Sequence, residues 1–162
     1  MPSGIANTIY VVAAIVWTCF LVLYFKQGRH HIAEDLHDPV FAPFIAGAPI
    51  TGMVLSLALA DFSFELGRAL VVLFLAATRL IGIWLTGHWI VADLEPDTAH
   101  PGYFLPTVAG GLIGAFTAAE VQLQSLAEWS FGTGIISWLL IGSIVLNVYS
   151  FGRAFPRHYC QH

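Results

Sequence analysis

The run TIYVVAAIVWTCFLVLYF, residues 8–25, contains no charged side chain. A helix needs about 20 predominantly apolar residues to cross the hydrocarbon core of a bilayer. The run has neither a basic flank before it nor a small-residue cleavage site, so it predicts a retained transmembrane helix rather than a signal peptide. Four more apolar runs follow, and the sequence therefore predicts five transmembrane helices, at residues 8–25, 43–60, 66–89, 104–126 and 132–151.

The composition of the whole chain agrees with a bilayer as solvent. Hydrophobic residues make up 57% and charged residues 10%, whereas a soluble domain carries about 25% charged residues. The apolar runs do not alternate in hydrophobicity as barrel strands do, so the predicted fold class is an all-α membrane protein. The net charge of −4 and the lack of a basic run argue against nucleic acid as a partner.

Basic residues predict the orientation of the chain. Lys26 and Arg29 follow the first run, Arg153 and Arg157 follow the fifth, and the opposite side carries only Arg68. Because basic loops stay in the cytoplasm, the N-terminus is expected outside and the C-terminus inside a bacterial inner membrane. The sequence thus divides into a transmembrane segment, residues 1–152, and a cytoplasmic tail, residues 153–162.

Prolines and glycines in the second and fourth runs predict irregular, closely packed helices. Pro49 lies about two turns into the second run, where a proline removes a backbone hydrogen bond and kinks the helix. Pro106 opens the fourth run, where it either kinks the helix or simply starts it. Gly110 and Gly114 form a small-xxx-small pattern. This pattern fits close helix packing, and a stripe of small residues also fits a pore.

Charged side chains inside the runs are candidate functional groups. Arg79 lies well inside the third run and Glu120 late in the fourth. A charge at the bilayer centre costs at least about 2.5–3.5 kcal/mol on insertion scales. Arg79 is therefore expected to attract an anion, to pair with a carboxylate such as Glu120, or to reach towards the interface.

A histidine-rich stretch offers a metal site as an alternative. His30, His31 and Glu34 lie in the string HHIAEDLHDP, where helical spacing would place pairs of ligands on one face. A solvated loop is the favoured explanation, because no second ligand cluster lies inside the apolar runs and Pro39 breaks the stretch. The metal alternative would make the chain a membrane metalloprotein.

Three segments of the chain resemble a known family. They are HDPVFAPFIAGAPITGM at residues 37–53, HPGYFLPTVAGGLIGAF at 100–116 and FGTGIISWLLIGSIVLN at 131–147. In this order they resemble the third, fifth and sixth helices of the tellurite-resistance/dicarboxylate transporter family. That family includes bacterial tellurite-resistance channels, yeast malate and sulfite carriers and the slow-type anion channels of plant guard cells.

The resemblance implies half of a ten-helix anion-channel bundle, namely helices two to six. Odd-numbered, proline-kinked helices line the pore in that family, so the second and fourth runs would be pore helices and Arg79 would lie on an outer helix. The implied substrates are small anions: a C4-dicarboxylate such as malate, sulfite, a tellurite-type oxyanion or chloride. No enzymatic activity, metal or organic cofactor is expected. The implied pore-lining residues are Phe44, Pro49, Gly52, Phe104, Pro106, Thr107 and Gly111.

The chain has no counterpart of the family's first helix or of its last four helices, which predicts a truncated form. Its tail, RAFPRHYCQH, departs from the proline-rich linker PPLxPT that follows the sixth helix in the family. Read two bases later, codons for residues 156–162 can encode Pro-Pro-Leu-Leu-Pro-Thr, so a frameshift is expected to have produced the tail. The expected partners are the bilayer, small anions, and either further copies of the chain or the missing half. A non-transporting accessory protein, docked on a full-length homologue through its glycine faces, is the other alternative.

Overall fold

A computed structural model describes residues 3–26, 35, 38, 41–91 and 105–151. Within these ranges the regular structure is helical throughout, without a strand, which confirms the predicted all-α class. The elements are α1 (Ser3–Lys26), α2 (Ala42–Ile45), α3 (Gly47–Ala60), α4 (Phe64–Val91), a π-helical turn (Leu105–Ala109), α5 (Gly110–Glu120) and α6 (Gln124–Phe151). Since α2 leads into α3 through one residue and the π-turn leads directly into α5, the described chain forms five helices.

Three stretches of these helices are long and apolar enough to cross a membrane. They are Asn7–Lys26, Ala42–Ala60 and Phe64–Gly87, among the residues that the structure describes. They correspond to the first three predicted runs. The membrane crossing of the fourth and fifth runs stays a prediction.

The structure places the turn between the last two helices inside the fourth predicted run. One helix ends at Glu120 and the next begins at Gln124, and the membrane-spanning bounds of the two runs stay predictions. Between them Gln122 adopts a left-handed backbone conformation with φ 60°. The turn is closed by main-chain hydrogen bonds, including one of 2.8 Å from the Leu123 N–H to the Ala118 carbonyl.

Two antiparallel hairpins, α3–α4 and α5–α6, form the body of the structure. They meet where α3 and α5 pack against each other. The core at this contact contains Ala46, Ile50 and Met53 from the α2–α3 unit and Leu75 from α4. Helix α1 lies at the edge, where most of its side chains are exposed.

A long-range hydrogen bond anchors α1 to α3. The Trp17 indole N–H donates to the Ala48 carbonyl oxygen at 3.0 Å, and the Trp17 ring meets the Phe74 ring edge-on at 5.7 Å. A buried indole usually finds a hydrogen-bond partner for its N–H. Trp17 therefore fixes α1 beside the start of α3.

Candidate functional site

The first feature of the candidate site is the break between α2 and α3. Pro43 lies in the first turn of α2, and Ala46 separates the two helices with φ −64° and ψ −19°. Pro49 is the third residue of α3 and has no N–H, so the Ile45 carbonyl lacks its regular helical donor. The next residue, Ile50, donates to the Ala46 carbonyl at 3.2 Å. The helix therefore restarts immediately after the break, as Pro49 predicts.

The second feature is the π-helical turn ahead of α5. It spans Leu105–Ala109, with Pro106 as its second residue, and both Pro106 and Val108 are buried. A π-turn closes its hydrogen bond over one more residue than an α-helical turn, and such turns are frequent at functional sites. Pro106 thus lies in an irregular turn of its helix.

The two irregular turns lie side by side on parallel helices. A Cβ added at Gly47 would lie 3.8 Å from the Leu105 side chain. The N-terminal end of α3 therefore lies next to the start of the π-turn. At the other ends, Ala58 of α3 and Phe116 of α5 line the same crevice. Backbone of this kind is tolerated at membrane depth where it is buried in protein or lines a watery cavity.

Two of the predicted pore-lining glycines face neighbouring helices. A Cβ added at Gly52 would lie 2.9 Å from the Phe74 ring of α4. A Cβ added at Gly111 would lie 2.7 Å from the Gly134 Cα of α6. The Cβ positions of Gly52 and Gly111 therefore point towards neighbouring helices, and their place in the conduit wall stays a prediction.

The small-xxx-small pair of α5 serves close packing against α4. A Cβ at Gly110 would lie 2.5 Å from the Thr78 side chain, and one at Gly114 would lie 2.5 Å from Leu75. Thr78 and Leu75 are buried. The close-packing interpretation of this pattern is confirmed.

Parts of α3 and α5 lie outside their contacts with α4. On α3 the half-buried or exposed positions Gly47, Thr51, Val54 and Ala58 follow helical spacing, and Gly47 and Thr51 border a crevice beside α1. From the π-turn into α5, Ala109, Leu112 and Phe116 also follow helical spacing, and Leu112 lies next to Gly134 of α6. We call these two sets the open stripes. Because the buried sides of both helices contact α4, both open stripes turn away from α4. Sequence analysis missed the stripes, although their spacing of four and three residues was a usable signal.

The other predicted site residues have mixed placements. Phe44 is exposed and Thr107 is half-buried, so both remain candidates for the conduit wall. Pro49 and Pro106 are buried, which fits a role in shaping the backbone. Phe104 lies outside the described residues, as do His30, His31 and Glu34 of the alternative metal site.

Arg79 and Glu120 do not form the predicted pair. One Nη of Arg79 donates to the Ser130 carbonyl of α6 at 3.4 Å. Glu120 is the exposed last residue of α5 and lies in the crevice with Ala58 and Phe116. The structure therefore places Arg79 between α4 and α6, and Glu120 at one end of the bundle.

Comparison with known proteins decides the family. The family model for voltage-dependent anion channels, SLAC1, matches residues 3–158. The chain belongs to this family. A tellurite resistance protein TehA homolog from Haemophilus influenzae is 26% identical over 152 residues, which cover 88% of this chain and 45% of that protein. The chain thus spans less than half the length of this curated relative, and it resembles an integral membrane channel or transporter rather than an enzyme.

Proposed function

We propose that the chain supplies part of the wall of a transmembrane anion conduit. The observation that carries this proposal is the parallel pair of proline-broken helices, α3 and α5, which lie side by side and each keep a partly exposed stripe. The membership of the voltage-dependent anion channel family supports it. The same stripes pass from the irregular turns at one end to the Ala58–Phe116 crevice at the other.

The chemistry of the open stripes suits permeation without tight binding. Glycine, alanine, valine, leucine and phenylalanine supply an apolar surface, and Thr51 adds a hydroxyl that already donates to the Gly47 carbonyl at 2.9 Å. An anion passing such a wall is selected by width and by the free energy of removing its water. We therefore propose small anions as substrates: C4-dicarboxylates, sulfite, tellurite-type oxyanions or chloride.

Two helices cannot enclose a conduit, so the proposal includes a partner for the open side. The partner is either further copies of this chain or the missing half of the transporter. Docking through the glycine faces, as the accessory-protein alternative requires, is disfavoured. Gly110 and Gly114 are covered by α4, and Gly111 is covered by α6.

Efflux from proteoliposomes tests the function. We expect liposomes containing the chain, loaded in turn with chloride, malate and sulfite, to release at least one of these anions faster than protein-free liposomes. In a second set of liposomes, the helices of a full-length relative that have no counterpart in this chain are added to it. Absence of release in both sets would refute the conduit.

The proposed orientation has a separate test. With Lys26, Arg29, Arg153 and Arg157 on the cytoplasmic side, a reporter fused after residue 162 should show cytoplasmic activity, and one at the N-terminus should show external activity. The measurement uses one reporter that is active only in the cytoplasm and one that is active only outside, each fused in turn to either terminus. An external C-terminus would contradict the orientation.

A further inference from the structure

A groove beside α4 has a mostly apolar surface that contains a few polar side chains, among them Arg79. It runs along α4 from Arg79 past Gly82 to Gly87, and its other wall contains Thr107 of the π-turn and Ser137 of α6. The cavity has a volume of about 380 Å³. A water occupies about 30 Å³ in the liquid, so the space would hold several waters or a small charged group.

The Arg79 guanidinium, at the inner end of this groove, has few hydrogen-bond partners among the described residues. An arginine has five N–H donors, and Arg79 makes one hydrogen bond, to the Ser130 carbonyl at 3.4 Å. This distance is longer than the 2.7–3.2 Å of ordinary N–H···O bonds. No ion pair to Arg79 is found within the described part of the chain. A charge inside a transmembrane span needs such a partner or a route to water.

The groove gives that charge a route to the membrane surface. Gly87 ends the apolar stretch of α4 and lies eight residues beyond Arg79, or about 12 Å along the helix. A Cβ added at Gly87 would meet nothing within 4 Å, and one added at Gly82 would meet only the π-turn, at 3.7 Å. The two glycines therefore keep the groove open between the interface and Arg79.

We propose that this groove binds a phosphate-type oxyanion at Arg79. The planar guanidinium matches oxyanion geometry and makes strong, charge-assisted hydrogen bonds, and the Ser137 hydroxyl lies in the same groove as a further donor. Ile83 at the groove edge is 69% exposed, which offers an apolar flank to an acyl chain. The favoured occupant is therefore the headgroup phosphate of an anionic membrane lipid. Thr107 borders this groove and is also a candidate for the conduit wall, but binding of an oxyanion at Arg79 does not require a working conduit.

Binding measurements on the delipidated full chain in detergent test the site. Phosphatidylglycerol, diacylglycerol and inorganic phosphate are titrated separately while the midpoint of thermal unfolding is followed. Because a ligand of the folded state raises this midpoint, we expect phosphatidylglycerol to raise it and diacylglycerol, which lacks the phosphate, to have little effect. Arg79→Gln should weaken the apparent affinity for phosphatidylglycerol about tenfold or more.

Matched variants separate the site from general effects on folding. Arg68→Gln makes the same charge change on α4 outside the groove and should bind like the unmodified chain. Gly82→Leu retains Arg79 but fills the groove, so it should lose the effect of the lipid even if Arg79→Gln does not fold. Gly132→Leu, at a position of α6 where an added Cβ meets nothing within 4 Å, should retain the effect.

The three ligands also identify the source of the oxyanion. A rise with phosphatidylglycerol alone supports a lipid-borne phosphate, and a rise with inorganic phosphate as well supports a site that accepts free oxyanions. Equal affinity of the Arg79→Gln and unmodified chains would overturn the proposal. So would an equal effect of diacylglycerol and phosphatidylglycerol.

Discussion

Replacing Gly111 with leucine is expected to destabilise the folded chain by roughly 3 kcal/mol or more, at the upper end of the effects of overpacking. A Cβ at this position would lie 2.7 Å from the Gly134 Cα and 3.3 Å from the Ser130 carbonyl oxygen. These neighbours are main-chain atoms, which cannot move aside as a flexible side chain does. The midpoint of thermal unfolding in detergent, measured with the yield of monodisperse protein, provides the test.

The control for this prediction is Gly132→Leu. Gly132 lies on α6, two residues before the helix contact at Gly134, and an added Cβ there meets nothing within 4 Å. We expect this variant to unfold within a few degrees of the unmodified chain. If the Gly111→Leu variant were equally stable, the packing of α5 against α6 would be wrong. A loss of anion flux in Gly111→Leu would therefore report unfolding and not a blocked conduit.

The gross architecture was predictable because it follows from local properties of the chain. Apolar length specifies the first three helices, and Pro49 specifies the break at the start of α3. Both effects act within one turn or one span, so no knowledge of distant neighbours is needed.

The turn after α5 was not predictable from the same signals. Left-handed backbone is usually marked by glycine or asparagine, but here Gln122 adopts it, between apolar Val121 and Leu123. The apolar pattern continues across the turn. Hydrogen bonds from the turn to α5 and the packing of α6 on Gly111 determine its position.

The neighbours of each face of α3 and α5 could be identified only from the tertiary structure, for a different reason. A glycine in the sequence indicates that something approaches closely, but it does not identify the approaching group. Gly52 is approached by Phe74, Gly111 by Gly134 and Gly114 by Leu75. Once these three sides are occupied, the open stripes remain as the proposed wall of the conduit.

The open stripes lead to the second large expected effect, in the variant Thr51→Trp. Thr51 is exposed at the middle of the α3 stripe. Its hydroxyl donates to the Gly47 carbonyl of its own helix, and it borders a crevice beside Trp17 and Phe20 of α1. An indole at this position should narrow the proposed conduit while leaving the fold intact. We expect the rate of anion release from proteoliposomes to fall about tenfold or more, which corresponds to an added barrier of about 1.4 kcal/mol.

Two companion variants make this result specific to the conduit. Thr51→Val has nearly the same shape and removes only the hydroxyl, so it should conduct at close to the original rate if width governs permeation. Leu59→Trp adds similar bulk to α3 at an exposed position outside the stripe, and should also conduct. Equal inhibition by Thr51→Trp and Leu59→Trp would mean that the open stripe does not face the permeating anion. Thr51→Val leaves the width of the conduit unchanged. If it inhibited release as strongly as Thr51→Trp, the Thr51 hydroxyl, and not the width, would control permeation.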